Sequence, residues 1–298
     1  MTDIMQGPFL VTGASGQLGR HVVELLLNAG AGPIVATTRS PEKLSDLASR
    51  GVEVRAADFN NASSLESAFS GAKRLLIIST DDLEPGKRLV AHRNAIEAAV
   101  GAGVEHIVYT SLINPVADSP ISFSGDHLGT EALLAESGIS HTNLRNSLYT
   151  DMILLNAPQA VGMGKLFAAT ADGTAGYVTR EDCARAAAAA LMKETETRTY
   201  DVTGPEAISY ATLAEILSEV TGRDIPYIPI SVEDLRAAMV NNGLPEMMAD
   251  VFSSFDVAIA QGYFAPCTSA VEDLTGKAPT SVREFLTDNK AALLASGS

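Results

Sequence analysis

The chain has 298 residues, and its 36 acidic side chains outnumber the 21 basic ones, which gives a formal net charge of −15 at pH 7. This charge excludes a protein that binds nucleic-acid phosphates through bulk electrostatic attraction, so we expect no nucleic-acid partner. With 46% hydrophobic and 19% charged residues, the composition is typical of a globular protein and excludes a disordered, collagen-like or coiled-coil chain.

The N-terminal string and the cysteines predict the compartment. The string MTDIMQGPFLVTGASG has neither the basic start nor the apolar stretch of a secretion signal. The longest apolar run, Ala186 to Met192, is too short to span a membrane. Cys183 and Cys267 have no second Cys or His at metal-ligand spacing, so we expect both to be packed and inert, and we expect no metal site. These features favour a cytoplasmic protein without a membrane partner.

Short apolar runs alternate with longer amphipathic segments through the first half of the chain, which is typical of repeated βαβ units. The predicted strands are Phe9–Thr12, Ile34–Thr38, Val52–Ala56, Leu75–Ser79, His106–Thr110 and Thr142–Arg145. The predicted helices are Gln17–Ala29, Pro41–Ser49, Ser63–Phe69, Gly86–Ala102 and Leu128–Ser137. Ser40 followed by Pro41 is the clearest helix start. Right-handed crossovers wind such units into an α/β fold, a Rossmann-like doubly wound parallel sheet, with a ligand crevice at the carboxyl ends of its strands.

After about residue 150 the alternation becomes less regular and helices predominate. The predicted elements here are a helix at Glu181–Lys193, a strand at Thr199–Val202, and helices at Thr212–Thr221, Val232–Asn242, Glu246–Ala260 and Ser281–Ala295. We therefore expect a nucleotide-binding domain of residues 5–150 plus roughly 180–204. A smaller, mostly helical substrate lobe would comprise residues 151–179 and 205–298.

Three glycines, Gly13, Gly16 and Gly19, follow the first predicted strand and open the first predicted helix in FLVTGASGQLGRHVVELLL. A dinucleotide needs a tight turn, close backbone approach to its pyrophosphate and a closely packed helix, whose N-terminus offers free N–H groups. A plain turn is the alternative, but strand, loop and helix all agree with a dinucleotide site. The cofactor contacts expected here are Thr12, Gly13, Ser15, Gly16, Gln17, Leu18 and Gly19.

The residues after the second strand predict which dinucleotide binds. An NAD enzyme places an acidic residue about 20 positions after the glycine pattern, whereas a basic residue there accommodates the 2′-phosphate of NADP. This chain has Arg39 at that place and Lys43 one helical turn later, which favours NADP(H) over NAD(H). Asp58, at the end of the third strand, is placed to accept a hydrogen bond from the adenine amine, with Phe59 beside the ring. The alternatives are solvated basic side chains and an ordinary turn aspartate.

Several strings along nearly the whole chain carry a family resemblance: TGASGQLG, TTRSPEK, LLIIST, HRNAIEAAVGAGVEHIVYTSL, GDHLGTE, LRNSLYTDMIL and DGTAGYVTREDCA. With them the sequence resembles the NmrA-like group of atypical short-chain dehydrogenase/reductases, and within it the type 2 NAD(P)H:quinone oxidoreductases and the triphenylmethane reductases. The resemblance implies a Rossmann-like domain that binds NADPH, a C-terminal lobe, and hydride transfer to an electron-poor acceptor such as a quinone. It also implies cofactor contacts from Ser79, Thr80 and Ser111 in the matched strings.

The tyrosines of the chain limit the chemistry. Ordinary short-chain dehydrogenases use a Tyr with a Lys four positions later, because the Lys lowers the pKa of the phenol and helps it to deliver a proton. No tyrosine of this sequence has that partner. Alcohol dehydrogenase and epimerase chemistry is therefore disfavoured. Reduction of a conjugated quinone needs chiefly correct positioning and can take its protons from solvent.

Three residues are expected at the catalytic site: His127, Asn146 and Tyr149. Relatives carry a Lys directly after the Thr-Glu pair of DHLGTE, where this chain has Ala132. If that Lys orients the nicotinamide ribose, His127 is the local substitute, and its ordinary pKa of about 6.5 suits proton donation. Asn146 should lie near the nicotinamide carboxamide, with Tyr149 toward the substrate. The alternatives are a capping or packing role for His127 and a core role for Tyr149.

Two other functions remain open at this point. The chain could be a non-catalytic NmrA-like sensor that binds NADP(H) and acts through a protein partner, which the missing Lys and the missing Tyr–Lys pair would permit. It could also reduce a specific ketone or imine, with Tyr149 or His127 as the proton donor. A homodimer is expected because twofold pairs are the commonest oligomers. The lobe should wall the acceptor pocket with Met163, Phe167, Tyr177, Met247, Met248 and Phe252.

Overall fold

A computed structural model describes residues 7–295, and the predicted domain limits at residues 5 and 298 lie outside that range. The strands are β1 Phe9–Val11, β2 Ile34–Thr38, β3 Glu53–Ala56, β4 Arg74–Ile77, β5 His106–Leu112, β6 Ser140–Asn146, β7 Leu166–Ala168, β8 Thr174–Ala175, β9 Arg198–Val202, β10 Ile208–Ser209 and β11 Tyr227–Pro229. Two short 3₁₀ helices lie at Pro41–Leu44 and Thr150–Met152.

The α-helices lie between these strands and predominate in the second half of the chain. They are α1 Gln17–Asn28, α2 Ser45–Ala48, α3 Ala62–Phe69, α4 Lys87–Ala102, α5 Ser124–Glu136, α6 Ile153–Met163, α7 Arg180–Lys193, α8 Tyr210–Thr221, α9 Val232–Asn241, α10 Glu246–Ala260, α11 Ala270–Thr275, α12 Val282–Asp288 and α13 Lys290–Leu294. Across residues 7–295, no helix has the length and apolar character needed to cross a membrane.

Seven strands form one parallel sheet in the order β3-β2-β1-β4-β5-β6-β9. The chain starts at the third of these positions, winds outward to β3, and then crosses back to build the other half of the sheet. Leu10 of β1 pairs in register with Val35 of β2 on one side and with Leu75 of β4 on the other. The predicted Rossmann-like, doubly wound fold class is confirmed. Its strand order reverses between β1 and β4, where such sheets open a crevice at their carboxyl ends.

The central strands are buried on both faces, which explains their uninterrupted apolar sequences. Phe9 and Val11 of β1 pack into the layer of α1 and α7, whereas Leu10 between them packs into the layer of α3 and α4. The small side chains of Ala186 to Ala190 are buried in α7 and allow it to pack closely against α1. With both faces covered, the carboxyl edge of the sheet is the place left for a ligand.

A second hydrophobic core belongs to the C-terminal half and is built around α6, α8 and α10, with α12 and α13 beside them. Two small sheets complete it, since β7 pairs with β11 and β8 pairs with β10. The sequence did not predict α6, because Pro158 lies inside it and usually ends a helix. The four strands of these small sheets were missed because they are too short to show an alternating pattern.

The clearest predicted helix start is wrong in its details. Residues Pro41–Ser49 form a 3₁₀ turn followed by the short α2, and the side chain of Ser40 makes no capping hydrogen bond. Instead, the Ser40 N–H donates to the hydroxyl of Thr38 at 3.1 Å. Pro41 is therefore the first residue of a 3₁₀ turn and not of a long α-helix.

Two other helix predictions need correction at their boundaries. The helix α5 begins at Ser124 rather than at Leu128, so its first turn already contains part of the GDHLGTE string. The predicted final helix Ser281–Ala295 is two helices, α12 and α13, which are separated at Asn289. Boundaries of this kind depend on tertiary packing, which the local pattern does not contain.

The two cysteines differ in environment. Cys183 is buried on α7, and burial raises the pKa of its thiol well above the usual range, which agrees with inert packing. Cys267 is exposed, so the prediction that it is packed is wrong. A cluster of three or more His, Cys, Asp or Glu side chains that could hold a metal ion is not found among residues 7–295.

Candidate functional site

The glycine loop joins β1 to α1 in a tight turn. Gly13 has a φ of +60°, a left-handed conformation that favours glycine, and its carbonyl accepts the N–H of Gly16 at 2.9 Å. A Cβ at Gly19 would lie 2.5 Å from the same carbonyl oxygen, so glycine is needed for α1 to pack this close. Gly16 at the N-cap provides no side-chain cap, and the first turn has no acid. The N–H groups at the start of α1 can therefore bind an anion.

A cavity of about 390 Å³, which we call the glycine-loop groove, opens at the carboxyl ends of the first four strands. It combines residues from the loops after β1, β2, β3 and β4, which are far apart in the sequence. Eight of the predicted cofactor contacts line it: Gly13, Ser15, Gly16, Arg39, Asp58, Phe59, Ser79 and Thr80.

The remaining predicted contacts of the loop lie outside the groove lining. Thr12 is buried and ties β1 to β4, because its hydroxyl donates to the carbonyl of Leu76 at 3.0 Å. Lys43 is exposed on the 3₁₀ turn after β2. The others belong to the first turn of α1: Gln17, Leu18 and Gly19.

The end of the groove at β2 combines one cation with hydroxyl groups. Arg39 is exposed just after β2, next to the Ser15 and Thr38 hydroxyls, which are hydrogen-bonded at 2.8 Å. Asp58 accepts the N–H of Asn60 at 3.0 Å, so it stabilises its own turn while it also lines the groove. A guanidinium group beside hydroxyls can bind a phosphate group.

A buried histidine, His92, is hydrogen-bonded to the loop after β4. The N–H of Thr80 donates to His92 Nε2 at 3.1 Å, so the neutral ring carries its proton on Nδ1, which faces the Thr130 hydroxyl at 2.9 Å. Burial and the nearby Arg88 guanidinium lower the pKa of His92 to about 3. The ring therefore stays neutral and keeps Thr80 in place at the groove.

His127 lies in the interior. It is 3% exposed, its Nε2 accepts from the Arg88 guanidinium at 3.1 Å, and its Nδ1 faces the Tyr109 hydroxyl at 2.7 Å. Burial and the Arg88 charge lower the pKa of His127 well below the usual range, so the ring is neutral and a poor proton donor. It lines neither the glycine-loop groove nor the second cavity described below. The structure gives His127 a packing role, because both ring nitrogens are already bonded inside.

The position of the missing lysine faces outward. Ala132 is exposed on α5. The neighbouring Glu131 points inward and accepts from the Ser111 hydroxyl at 2.6 Å and from the Arg145 guanidinium at 3.0 and 2.7 Å. Ser111 is thus buried against Glu131 and is not part of the groove lining. His127 is buried and bonded elsewhere, whereas position 132 is exposed, so the structure does not support His127 as a substitute for the missing lysine.

Asn146 and Tyr149 lie together at the end of β6. The Asn146 amide Nδ2 donates to the Tyr149 hydroxyl at 3.2 Å, while its buried Oδ1 has no hydrogen-bond partner among the residues described. The Arg180 guanidinium lies over the Tyr149 ring, 4.9 Å from the centroid. Burial raises the pKa of Tyr149 well above its usual range, so the phenol stays protonated. A buried acceptor without a partner is costly, so a donor from water or from a ligand would stabilise it.

A second cavity of about 360 Å³, which we call the lobe cavity, begins at Tyr149 and continues between α6, α8 and α10. Its lining is mostly apolar and aromatic. Of the predicted pocket residues, Tyr177 and Phe252 line it. Four predicted residues lie outside the lining: Met163, Phe167, Met247 and Met248. The spacing of apolar residues in the sequence does not show which of them face the cavity.

The lobe cavity contains an acid that the sequence did not predict as a site residue. Asp256 of α10 is 8% exposed and lines the cavity together with Tyr177 and Tyr210. Burial raises the pKa of Asp256 to about 6, although the N–H of Ala169 donates to its Oδ2 at 2.7 Å and opposes the shift. A signal was present, since the string FSSFDVAIA places one charged residue inside an apolar helix.

Comparison with known proteins gives consistent matches along the chain. The model of the NmrA-like family matches residues 5–286. Quinone oxidoreductase 2 of Escherichia coli is 38% identical over 277 residues, which are 92% of this chain and 96% of that protein. Its crystal structure in complex with NADPH has a TM-score of 0.89 to this structure, with 37% identity over 94% of this chain and 99% of that one.

Two further relatives are similar over nearly their full length. The NAD(P)H azoreductase of Xenophilus azovorans is 32% identical over 95% of this chain and 98% of that protein. The Citrobacter sp. triphenylmethane reductase in complex with NADP(H) has a TM-score of 0.87, with 34% identity over 97% of this chain and 99% of that one. These matches extend through the sheet and the helical C-terminal half alike.

Proposed function

This chain belongs to the NmrA-like family, as its sequence motifs predicted, and we propose that it is an NADPH-dependent reductase that transfers a hydride to a quinone or similar conjugated acceptor. The observation that carries the proposal is the position of two cavities along one edge of one sheet. The glycine-loop groove opens after β1 to β4, and the lobe cavity begins at Tyr149, just past β6. A dinucleotide that starts in the groove would extend along this edge toward the lobe cavity.

The glycine-loop groove fits a dinucleotide with a 2′-phosphate. The free N–H groups at the start of α1 suit a pyrophosphate. Arg39 follows β2 at the place where NAD enzymes carry an acid, so it suits the 2′-phosphate of NADPH. The unpartnered Oδ1 of Asn146 suits the amide of a nicotinamide carboxamide. Bound NADPH would supply the hydride from its nicotinamide ring.

Different residues of the groove and the sheet edge would bind different parts of NADPH. Gly13, Ser15 and Gly16 would bind the pyrophosphate, while Asp58 and Phe59 would contact the adenine. Ser79 and Thr80 would line the nicotinamide half, and Asn146 with Tyr149 would hold the nicotinamide against the acceptor. Correct placement of two reactants lowers a barrier by up to roughly 7 to 11 kcal/mol. Positioning is therefore the main contribution that this chain would make.

The lining of the lobe cavity suits a mostly apolar acceptor. Apolar and aromatic side chains dominate its lining, as in many small-molecule sites. The three relatives are named as a quinone oxidoreductase, an azoreductase and a triphenylmethane reductase, and quinones, azo compounds and triphenylmethane dyes are all conjugated molecules. Tyr149 keeps its proton and has no lysine four positions later, so it does not resemble the base of an alcohol dehydrogenase. These observations support quinone-like acceptors over simple alcohols.

Two titrations test this function. Nicotinamide fluorescence should show tighter binding of NADPH than of NADH to the purified protein. Addition of a simple benzoquinone to the NADPH complex should then remove the absorbance of the reduced nicotinamide. Tight binding without oxidation by any quinone would favour the NADP(H) sensor or a ketone or imine reductase, which a panel of ketones and imines would separate. If neither nucleotide bound, the assignment of the glycine-loop groove would be wrong.

A small-molecule electron acceptor is the only partner that this function requires. A homodimer stays a prediction, and light scattering on the purified protein tests it. A cytoplasmic location also stays a prediction, and cell fractionation tests that.

A further inference from the structure

One acid in the lobe cavity has no part in the function proposed so far. Asp256 lies on α10 among apolar residues and lines the cavity. Its Oδ2 accepts the N–H of Ala169 at 2.7 Å, which is its only hydrogen bond within residues 7–295. Its titration is set by burial and by that N–H, without a contribution from a cation. A buried carboxylate without a counter-ion is costly, so the position favours the neutral acid.

The surroundings of Asp256 strengthen this preference. The titratable groups that face it are the phenols of Tyr177 and Tyr210, and burial raises the pKa of both well above the usual range, so both are neutral. Burial raises the pKa of Asp256 to about 6. An apolar ring that enters the cavity would expel water and raise that pKa further. The occupied lobe cavity therefore presents a carboxylic acid O–H.

We propose that Asp256 is the general acid that protonates the acceptor in the lobe cavity, a role that rests on the proposed reductase function. A quinone that becomes a hydroquinone gains two electrons and two protons, and the hydride accounts for both electrons and one proton. The hydride forms a bond to the acceptor and leaves a negative charge on an acceptor oxygen. The O–H bond of Asp256 breaks as that oxygen forms its own O–H bond. Water then returns a proton to the carboxylate, and the cofactor leaves as NADP⁺.

Other polar groups are less suited to this step. The Tyr149 phenol accepts a hydrogen bond from Asn146 and has a strongly raised pKa, so it gives up its proton reluctantly. His127 is neutral and bonded outside the cavity. Asp256 is the cavity group whose pKa lies closest to neutral pH, which is the condition for efficient general-acid catalysis.

Two variants and two acceptors test the role. Asp256→Asn keeps the shape of the side chain and can donate a hydrogen bond, but it cannot transfer a proton. Asp250→Asn is the matched control, because Asp250 lies on the same helix but is exposed and paired with Arg236. The first acceptor is a benzoquinone, which needs a proton. The second is a triarylmethyl cation dye, which takes a hydride at carbon and needs none.

The expected pattern is selective. Asp256→Asn should lower kcat with benzoquinone by roughly 100-fold, while kcat with the dye and the affinity for NADPH stay unchanged. The wild-type rate with benzoquinone should fall as pH rises through the pKa of the acid, and the variant should lack this dependence. By ¹³C NMR of labelled aspartates, the carboxyl signal that Asp256→Asn removes should titrate at a higher pH when hydroquinone is bound.

Each contrary outcome is distinct. An active wild type with an Asp256→Asn variant of equal rate on benzoquinone would overturn the acid role and leave the proposed reductase function standing. Equal losses with both acceptors would also overturn it, because they would indicate a structural defect. A wild type that oxidises NADPH with neither acceptor would overturn the reductase function and the acid role together.

Discussion

Arg39 is the side chain that should decide between the two dinucleotides. Arg39→Ala should weaken NADPH binding by roughly 10- to 100-fold, because a hydrogen bond to a charged group contributes about 1.5 to 3 kcal/mol. NADH has no 2′-phosphate, so its binding should change little. Lys43→Ala is the matched control, since Lys43 is exposed outside the groove lining. Fluorescence titration of the wild type and both variants with each nucleotide measures six affinities. Equal losses of NADPH and NADH binding in Arg39→Ala would contradict the assignment.

Gly19 should tolerate no side chain at all. A Cβ there would lie 2.5 Å from the Gly13 carbonyl oxygen, so Gly19→Ala should push α1 away from the loop. We expect lower affinity for NADPH together with a loss of roughly 1 to 3 kcal/mol in the free energy of unfolding. Gly101→Ala is the control, because a Cβ in that helix meets open space and should stabilise the protein by about 0.5 to 1 kcal/mol. Urea unfolding compares the two, and a Gly19→Ala protein as stable as the wild type would argue against close packing at this glycine.

Single residues were predictable where their signal is local. The glycine pattern and Arg39 follow strand ends that the sequence shows directly, and the structure places Gly13, Gly16 and Arg39 in one groove. His127 was misplaced because sequence spacing does not reveal that both of its ring nitrogens are bonded in the interior. Asp256 was missed because an acid on a helix usually belongs to the solvated face. Burial depends on long-range packing, which a local pattern lacks.

At the scale of elements, a buried arginine joins the sheet to α7. Arg74, the first residue of β4, donates from its guanidinium to the carbonyls of Ala190, Leu191 and Glu194 at the C-terminal end of that helix. Burial lowers the pKa of Arg74, but the group remains a cation suited to the negative end of the helix dipole.

Loss of this contact should be costly. Arg74→Met leaves buried carbonyls without donors and should lower the free energy of unfolding by roughly 3 kcal/mol. The adjacent Lys73→Met removes only an exposed ion pair with Glu105 and should cost less than about 1 kcal/mol. Denaturant unfolding at neutral pH gives both values. Similar small losses for the two variants would show that Arg74 does not hold the end of α7.

Elements were predictable in proportion to their length and regularity. The inner strands of the large sheet, such as β1, have short apolar runs between helical segments, so they were predicted in the correct order along the chain. The C-terminal half has α6 with an internal Pro158 and strands of two or three residues, and their formation depends on packing around the lobe cavity. The helix predicted after β2 is a 3₁₀ turn and a short helix, and the Ser40 N–H donates to the Thr38 hydroxyl. The local sequence pattern therefore predicts the strands of the large sheet better than it predicts the elements of the C-terminal lobe.

At the scale of the whole molecule, buried histidines should make folding sensitive to acid. Burial and Arg88 lower the pKa of His92 to about 3, whereas burial, Arg74 and His141 lower that of His106 to about 4. The unfolded chain binds these protons at the ordinary pKa of about 6.5. Stability should therefore be full above that value and fall as pH decreases toward the folded-state values, by up to about 1.4 kcal/mol per pH unit for each histidine.

His92→Gln should reduce this pH dependence. The variant should lose stability near pH 7 through its missing hydrogen bonds, but its free energy of unfolding should change less between about pH 7 and about pH 5 than that of the wild type. His21→Gln is the control, because His21 is exposed on α1 and its removal should leave the slope unchanged. Urea unfolding at several pH values measures the slopes. An unaltered slope in His92→Gln would mean that folding does not lower the pKa of His92.

The proposed path of the hydride depends on the arrangement of the two cavities. The glycine-loop groove and the lobe cavity lie along one carboxyl edge, and Asn146 with Tyr149 stands between the end of β6 and the lobe cavity. The motifs predicted the groove, and the fold brought the lobe cavity to the same edge through contacts that are distant in sequence.

A crystal structure with NADP⁺ and a hydroquinone bound together tests this claim most directly. We predict the 2′-phosphate at Arg39, the nicotinamide beside Asn146, and the hydroquinone ring in the lobe cavity, with the nicotinamide C4 about 3 to 3.5 Å from the ring. A hydroquinone bound elsewhere, or a nicotinamide turned away from Tyr149, would contradict the proposed path of the hydride.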